Sequence, residues 1–491
     1  MKTLNKILLS LLSSILMFFA FYPREISFLI FFALIPLLYI YRRTNTAEAF
    51  FYFTLSAVLF YVPQYLWLRM IWSWKVLAVM TAYLAFYTGL WGFLCKVLRI
   101  RFASIPEILA ASFLFALLEI ARGTLLGGYN GCSFSSALYR FLPFIQSADL
   151  GSMYFVSALI VCVNICLFSF FVEPASDKPQ ILSLLVLVFA GNMLYGAARL
   201  HMFRQNTVPV RFTLIQPCIE QHLKWNSDFL LRNLKKSADL ISSADERTEI
   251  FLLPETATPN DMTKYPRTYE TFSNASRGKF LLLGSEYFDF SYFYCYEHSR
   301  KKNAAFLLHK GRIIQSYFKL KPAPFAEYSP LRFLKKLVLG KGTEPSREYT
   351  IFNTVYASMG VNICLEAAYP ELSRGFANNG ADILINISNE AWFLDKPVSK
   401  EINALSVFRA VENRRDFIKV SNCGISFYAD ARGKIHFRTS LFVPEVKTFE
   451  AYPRCSKTLW QKFGYTPIWA GFIIFYLIFL LRKRKKVYYI R

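Results

Sequence analysis

Three residues with the chemistry for covalent catalysis each follow a short apolar run. Cys364 lies in Val361-Asn-Ile-Cys-Leu-Glu-Ala-Ala-Tyr-Pro-Glu371, Glu255 in Leu252-Leu-Pro-Glu-Thr-Ala-Thr-Pro259, and Lys319 in Tyr317-Phe-Lys-Leu-Lys-Pro-Ala-Pro-Phe-Ala-Glu-Tyr-Ser-Pro330. A thiol becomes an effective nucleophile when a base or a positive charge favours the thiolate. A carboxylate such as Glu255 takes the thiol proton as general base. An ammonium such as Lys319 favours the thiolate and stabilises the oxyanion of a tetrahedral intermediate. The bland reading of each is a small buried thiol and two solvated loop charges. No histidine lies in a context that suggests pairing with Cys364, which argues against a Cys-His mechanism. The nine cysteines form no CxxC pair and five scattered histidines give no metal-ligand spacing, so no metal and no cofactor are expected.

The elements that must position these residues are legible as short β-branched or apolar runs between polar helical stretches. Strands are predicted at Val210–Ile215, Ile250–Leu253, Phe280–Leu283, Asn303–Leu308, Ile313–Phe318, Val361–Cys364, Ile383–Ile387, Phe417–Val420 and Ile425–Ala429. Helices are predicted at Ser227–Ser243, Glu371–Asn379 and Ile402–Arg415, and His309-Lys-Gly-Arg312 reads as a hairpin turn. Apolar strands feeding helices point to sheets covered by helices. The predicted unit, residues 208–462, has roughly 255 residues, enough for one α/β domain with its own core.

The rest of the chain is of another kind. It is 491 residues long, 54% hydrophobic and 18% aromatic, which is too apolar for an ordinary soluble protein. Seven apolar spans are predicted in residues 1–200: Ile7–Tyr22, Ile26–Tyr41, Ala49–Leu68, Val76–Leu94, Ile105–Ala121, Met153–Val172 and Ile181–Ala198. An eighth, Tyr465–Leu481, precedes a basic tail, residues 482–491. Spans of about 20 residues cross a bilayer. Lys2 and Lys6 precede the first span, but no small-x-small site follows, so it is expected to be a retained helix. Arg42, Arg43, Lys96, Arg99, Arg101 and Arg482-Lys-Arg-Lys-Lys486 place both termini in the cytoplasm, leaving the 208–462 domain outside the membrane it is anchored to. The net charge of +24 suits anionic lipid. Nucleic acid is not expected, because the basic residues flank apolar spans without an interleaved aromatic patch. Glu119 and Arg122 share a helix face at the end of the fifth span, either as a functional pair or as an interfacial one. The loop Gly127-Gly-Tyr-Asn-Gly-Cys-Ser133 reads as a re-entrant or surface loop.

Taken together, Pro254-Glu-Thr256, Lys319 before Pro324-Phe-Ala-Glu-Tyr328, Ile363-Cys-Leu-Glu366 and Ser388-Asn-Glu-Ala-Trp-Phe393 resemble the nitrilase, or carbon–nitrogen hydrolase, superfamily. Gln216-Pro with Lys224-Trp225, a polytopic N-terminal half and one C-terminal span extend the resemblance to the bacterial apolipoprotein N-acyltransferase family. The resemblance implies a polytopic α-helical membrane domain plus an extramembrane αββα sandwich. It implies that Glu255 is the general base, Lys319 the oxyanion-stabilising lysine and Cys364 the nucleophile. Glu327 would position the lysine, and Glu366 and Trp225 would support activity. It further implies a phospholipid acyl donor, a diacylglyceryl apolipoprotein acceptor, a thioester on Cys364 and the bacterial cytoplasmic (inner) membrane, with the catalytic domain periplasmic. The family commonly has glycine where Ala326 stands and tyrosine where Leu365 stands, which bears on loop flexibility and a hydroxyl contact but not on the triad.

Two other readings stay open at this level. A membrane-tethered amidase hydrolysing a small amide would share the triad. A non-catalytic scaffold or transporter would instead use Glu119 and Arg122 to line a path. Trp392, Phe393 and Leu394 are expected either to face lipid or to pack on the domain. Nothing in the sequence demands more than a monomer.

Overall fold

A computed structural model describes every residue except 22–24, 72, 173–176, 204–206, 290–299, 330–342, 393–395 and 489–491. The chain divides into two compact units, Met1–Phe203 with Lys462–Arg491, and Arg204–Gln461.

In the first unit, seven helices among the described residues are long and apolar enough to cross a membrane. They are Thr3–Ala20, Thr46–Gln64, Trp74–Val97, Ile105–Gly127, Ala148–Val172, Lys178–His201 and Thr466–Lys483. The predicted span Ile26–Tyr41 differs. It is a 3-10 turn, Ser27–Phe31, followed by a short helix, Ile35–Arg42. Pro36 lies in the first turn of that helix, the place where its missing N–H costs nothing, so a new helix starts there. The break leaves backbone groups inside an apolar unit. Asn164 satisfies them: its Oδ1 accepts from Leu34 N–H at 2.9 Å and its Nδ2 donates to the Ile30 carbonyl at 2.9 Å. Ser13 Oγ donates to the Ala33 carbonyl at 2.5 Å.

The second unit holds thirteen strands among its described residues. They are β1 (Val210–Gln216), β2 (Ile250–Leu252), β3 (Thr258–Asp261), β4 (Phe280–Asp289), β5 (Arg300–His309), β6 (Arg312–Phe318), β7 (Ile351–Asn353), β8 (Ser358–Ile363), β9 (Ile383–Ser388), β10 (Asp416–Ser421), β11 (Phe427–Ala429), β12 (Ile435–Arg438) and β13 (Glu445–Ala451). One sheet of seven strands runs β13-β1-β2-β4-β5-β6 with β3 beside β4, and one of six runs β12-β11-β10-β9-β8-β7. The centre of each is parallel: β1-β2-β4 in the first, β8-β9-β10 in the second. Parallel strands need covering on both faces, and they read as continuous apolar runs for that reason.

Alternation along the first sheet divides the work between its faces. Phe251, Leu253, Leu281, Leu283, Phe306 and Leu308 pack with Leu234 and Ile241 of helix Leu230–Ser242 and Phe272 of helix Pro266–Ala275. Helices Pro370–Asn378 and Lys396–Asn413 pack on β8, β9 and β10 of the second sheet. The two sheets meet through β1 against β10 and β5 against β8. This is the αββα sandwich. Strands β3, β7, β12 and β13 and helix Pro266–Ala275 lie outside the predicted set. They are short, proline-bearing or half-exposed, so they lack the apolar run on which the prediction rests.

Asn164→Ala removes both partners of the Ile30–Leu34 break. Each orphaned backbone group costs about 1–3 kcal/mol. The thermal midpoint of the detergent-solubilised protein is expected to fall; an unchanged midpoint would show that other contacts hold the break.

Candidate active site

Glu255, Lys319 and Cys364 all lie just past strand ends, after β2, β6 and β8. Glu255 and Lys319 are buried, with Lys319 only 1% exposed, and Cys364 is half-buried. Lys319 Nζ sits 2.8 Å from Glu327 Oε2 and 3.8 Å from Glu255 Oε1. Asn303 of β5 spans the two carboxylates, its Nδ2 donating to Glu255 Oε1 at 2.6 Å and to Glu327 Oε1 at 3.4 Å. The second oxygen of Glu255 accepts the backbone N–H of Asn389 at 2.8 Å, and that of Glu327 accepts from Ala323 at 2.6 Å as well as from Lys319. Glu255 therefore reaches across from one sheet to the end of β9 in the other.

Three non-glycine residues at the site take left-handed backbone conformations. Thr256 follows Glu255 with φ +47°, Phe325 precedes Ala326 with φ +61°, and Cys364 itself has φ +55°. Such residues cost roughly 1–2 kcal/mol each and persist only where surroundings fix them. Asn386 helps to fix Cys364, donating to its carbonyl at 2.9 Å and to that of Asn362 at 3.1 Å. The Ser388 hydroxyl, which donates to Glu390 Oε1 at 3.3 Å, also lowers the Cys364 thiol slightly.

Electrostatics set the protonation states. Burial opposes the charge on Lys319, but the carboxylates of Glu327 and Glu255 outweigh it and hold the ammonium charged well above its ordinary range. Burial pushes Glu327 up, yet Lys319 outweighs that and the carboxyl sits below its usual value. Burial, followed by the negative charge of Glu255, pushes the Cys364 thiol up, and the opposing pull of Lys319 does not overcome them. Lys319 was expected to favour the thiolate. Its charge is already shared by two carboxylates, so the thiol is held above its ordinary value rather than below it. Lys224 is a further buried ammonium here, donating to the Glu255 carbonyl at 3.2 Å and lowered to about 8 by burial.

Glu366 is fully buried and does not face Lys319 directly. It accepts Leu320 N–H at 2.7 Å, Lys321 N–H at 2.9 Å, Ile363 N–H at 2.7 Å and the Tyr317 hydroxyl at 2.9 Å. It thus ties the strand end bearing Lys319 to the one bearing Cys364. Trp225 is exposed, with the Lys301 ammonium 5.3 Å from its ring centre and Lys301 ion-paired to Glu286. Trp392 is exposed; Phe393 and Leu394 lie outside the described residues. Glu119 and Arg122 are buried in the helical unit, 3.6 Å apart. Arg122 donates to Tyr61 Oη at 2.5 Å and Ser133 Oγ at 2.8 Å, and Glu119 accepts Phe134 N–H at 3.0 Å. The pair thereby holds the largely buried segment that follows Gly127.

Asn303, Asn386 and Asn389 were missed by the sequence reading. Their one signal was a polar amide inside or just past an otherwise apolar strand, which must find a partner when buried. A second omission was Gly284 of β4. A Cβ there would lie 2.6 Å from Glu255 Cα and 2.7 Å from Thr256 N. Gly284→Ala is expected to push the Glu255 backbone away, costing about 1–3 kcal/mol of stability and most of the activity, checked by denaturation and by turnover.

Glu366 gives a pH dependence. Burial raises its carboxyl from 4.5 to about 7, against the field of Lys319 and the N–H donors. Only the ionised form accepts all four donors. Activity is expected to rise through pH of about 7, with Glu366→Gln flat and low across the same range. The stability sign is opposite. The folded state keeps a proton that the unfolded chain loses near 4.5, so this contribution is full below 4.5 and shrinks as pH rises to about 7. Parallel rate and thermal-midpoint profiles check both.

Residues 13–166 match the family model for the apolipoprotein N-acyltransferase N-terminal domain, and residues 211–450 that for carbon-nitrogen hydrolase. The apolipoprotein N-acyltransferase of Geobacter metallireducens is 30% identical, over 94% of this chain and 92% of that one. Those of Haemophilus influenzae (24% identical, 97% of each chain) and Aquifex aeolicus (26%, covering 88% of this chain and 95% of that one) are also similar. With both halves matched in order, the chain belongs to the apolipoprotein N-acyltransferase family.

Proposed function

We propose that this protein moves a fatty acyl chain from a membrane phospholipid to the α-amine of an S-diacylglyceryl-cysteine at the N-terminus of apolipoproteins, through a thioester on Cys364. The observation that carries the reading is the buried Glu255–Lys319–Glu327 arrangement beside a protonated thiol, on a chain with seven helices long and apolar enough to cross a membrane. The names of the relatives supply the acceptor.

In the first half, Glu255 takes the Sγ proton as the sulfur adds to the ester carbonyl. The oxyanion that forms is stabilised by the Lys319 ammonium. Collapse expels the lysophospholipid alkoxide, which takes the proton back from Glu255. In the second half the lipoprotein amine adds to the thioester, Glu255 accepts the amine proton, and the thiolate leaves and is reprotonated. The same carboxylate, held by Asn303 and Asn389, serves as base in both halves. Water is the competing acceptor in the second half, so transfer requires that the amine outrun it.

The membrane orientation belongs to the same reading. Counting the interrupted Ser27–Arg42 segment as a crossing gives an even number, with both termini and the basic loops cytoplasmic. The catalytic unit is then on the outer side of the bacterial inner membrane, where lipoprotein N-termini are displayed.

Purified protein mixed with phospholipid is expected to gain the mass of one acyl chain, removable by hydroxylamine and absent in Cys364→Ala. Glu255→Gln should slow adduct formation by at least ~10²-fold. Rapid free fatty acid release with no amine requirement would instead identify a hydrolase.

A further inference from the structure

Outside the site, two cysteines from distant parts of the chain meet. Cys218 follows β1 and Cys423 follows β10, 205 positions apart, and their sulfurs are 3.1 Å from each other. The segments are already fastened together. Cys218 N–H donates to the Asn422 carbonyl at 3.0 Å, Ile219 N–H donates to Asn422 Oδ1 at 2.9 Å, and Asn422 Nδ2 returns a bond to the Ile219 carbonyl at 2.7 Å. A backbone hydrogen bond between residues 218 and 422 brings the α-carbons of 218 and 423 into the range that a disulfide spans. Cys218 holds this position in a left-handed conformation, φ +47°, in a residue type that rarely adopts one.

We propose that Cys218 and Cys423 form a disulfide in the working protein, covalently joining the two sheets beneath the catalytic carboxylate. The proposal rests on the orientation given above, because only outside the cytoplasm are disulfides kept. Each thiol loses a proton, one S–S bond forms, and two electrons pass to an acceptor disulfide, which is reduced to two thiols. Cys218, half-buried, is the sulfur that an incoming disulfide reaches; buried Cys423 then displaces the leaving thiol. The Cys423 hydrogen bond, aided by the charge of Lys236, holds the Cys218 thiol below its ordinary value and favours that first attack.

The bridge would stiffen a chain of contacts that ends at the base. Asn422 Nδ2 donates to Asn389 Oδ1 at 3.1 Å, and Asn389 N–H donates to Glu255 Oε2 at 2.8 Å. Closing a loop of this length also restricts the unfolded chain strongly.

The test traps thiols in intact spheroplasts with acid. The protein is then denatured, alkylated with one reagent, reduced, alkylated with a second, and mapped by peptide mass. Cys218 and Cys423 are expected to carry only the second label, and Cys218→Ser should move Cys423 to the first. Reductant should lower the thermal midpoint of the wild type by several degrees and leave the Cys218→Ser/Cys423→Ser variant unmoved. Cys455 is exposed on the same unit and reports the side through a membrane-impermeant maleimide applied before lysis. First label on Cys218 and Cys423 with Cys455 reached from outside overturns the disulfide and leaves the orientation standing. First label on both with Cys455 unreached from outside overturns the orientation, and the disulfide with it.

Discussion

The structure of the catalytic unit depends on placing an ammonium between two carboxylates in a buried site. Lys319 is almost wholly removed from water, a state that costs several kcal/mol for an unpaired ion. Glu327 at 2.8 Å and Glu255 at 3.8 Å offset that cost, and Asn303 fixes the spacing between them. The three ionic residues come from loops after β2 and β6. Any shift of those strand ends would leave a buried charge exposed to nothing. The sheet register is therefore tied to the chemistry: the sandwich must close to the right place for the charges to be tolerated at all.

The same cluster explains how reactivity is held in check. Lys319 is shared by two carboxylates, so it does not ionise Cys364 in the resting site, and burial keeps the thiol protonated. A protonated, half-buried thiol is less exposed to oxidation than a standing thiolate. Glu255 is held by two donors, Asn303 Nδ2 and the Asn389 N–H. Under the proposed mechanism, activation requires only that a carbonyl arrive beside the sulfur. Residues 256, 325 and 364 are left-handed, and the side-chain amides of Asn386 and Asn389 hold Cys364 and Thr256 in place.

The helical unit solves a different problem with similar means. In an apolar surrounding, every backbone break needs an internal partner. Asn164 supplies two for the Ile30–Leu34 interruption, and of the Glu119–Arg122 pair Glu119 supplies one for the Phe134 N–H while Arg122 holds the Ser133 hydroxyl. Ionisable residues in such spans invite a functional reading, but these two are occupied in holding the chain.

Much of this was legible in the chain itself. Apolar runs long enough for a bilayer differ in kind from β-branched runs of five or six residues, so the two halves and a domain of helix-covered sheets could be read from composition and period, while the αββα sandwich was implied only by the resemblance of the motifs. Glu255, Lys319 and Cys364 stood out because each follows a strand-like run into a proline-rich or small-residue turn. What the sequence could not decide was which partners each charge would meet. Asn303 comes from a strand whose other residues read as ordinary core, and Asn389 offers a backbone N–H, which no side-chain pattern reveals. The protonation state of Cys364 was equally hidden, because it follows from a balance of burial and three charges set by packing between two sheets. Residue type and local period are properties of short stretches, so the sequence alone determined elements and candidate chemistry. Distances between stretches a hundred residues apart exist only once the sheets pack, so tertiary structure alone decided how that chemistry is poised.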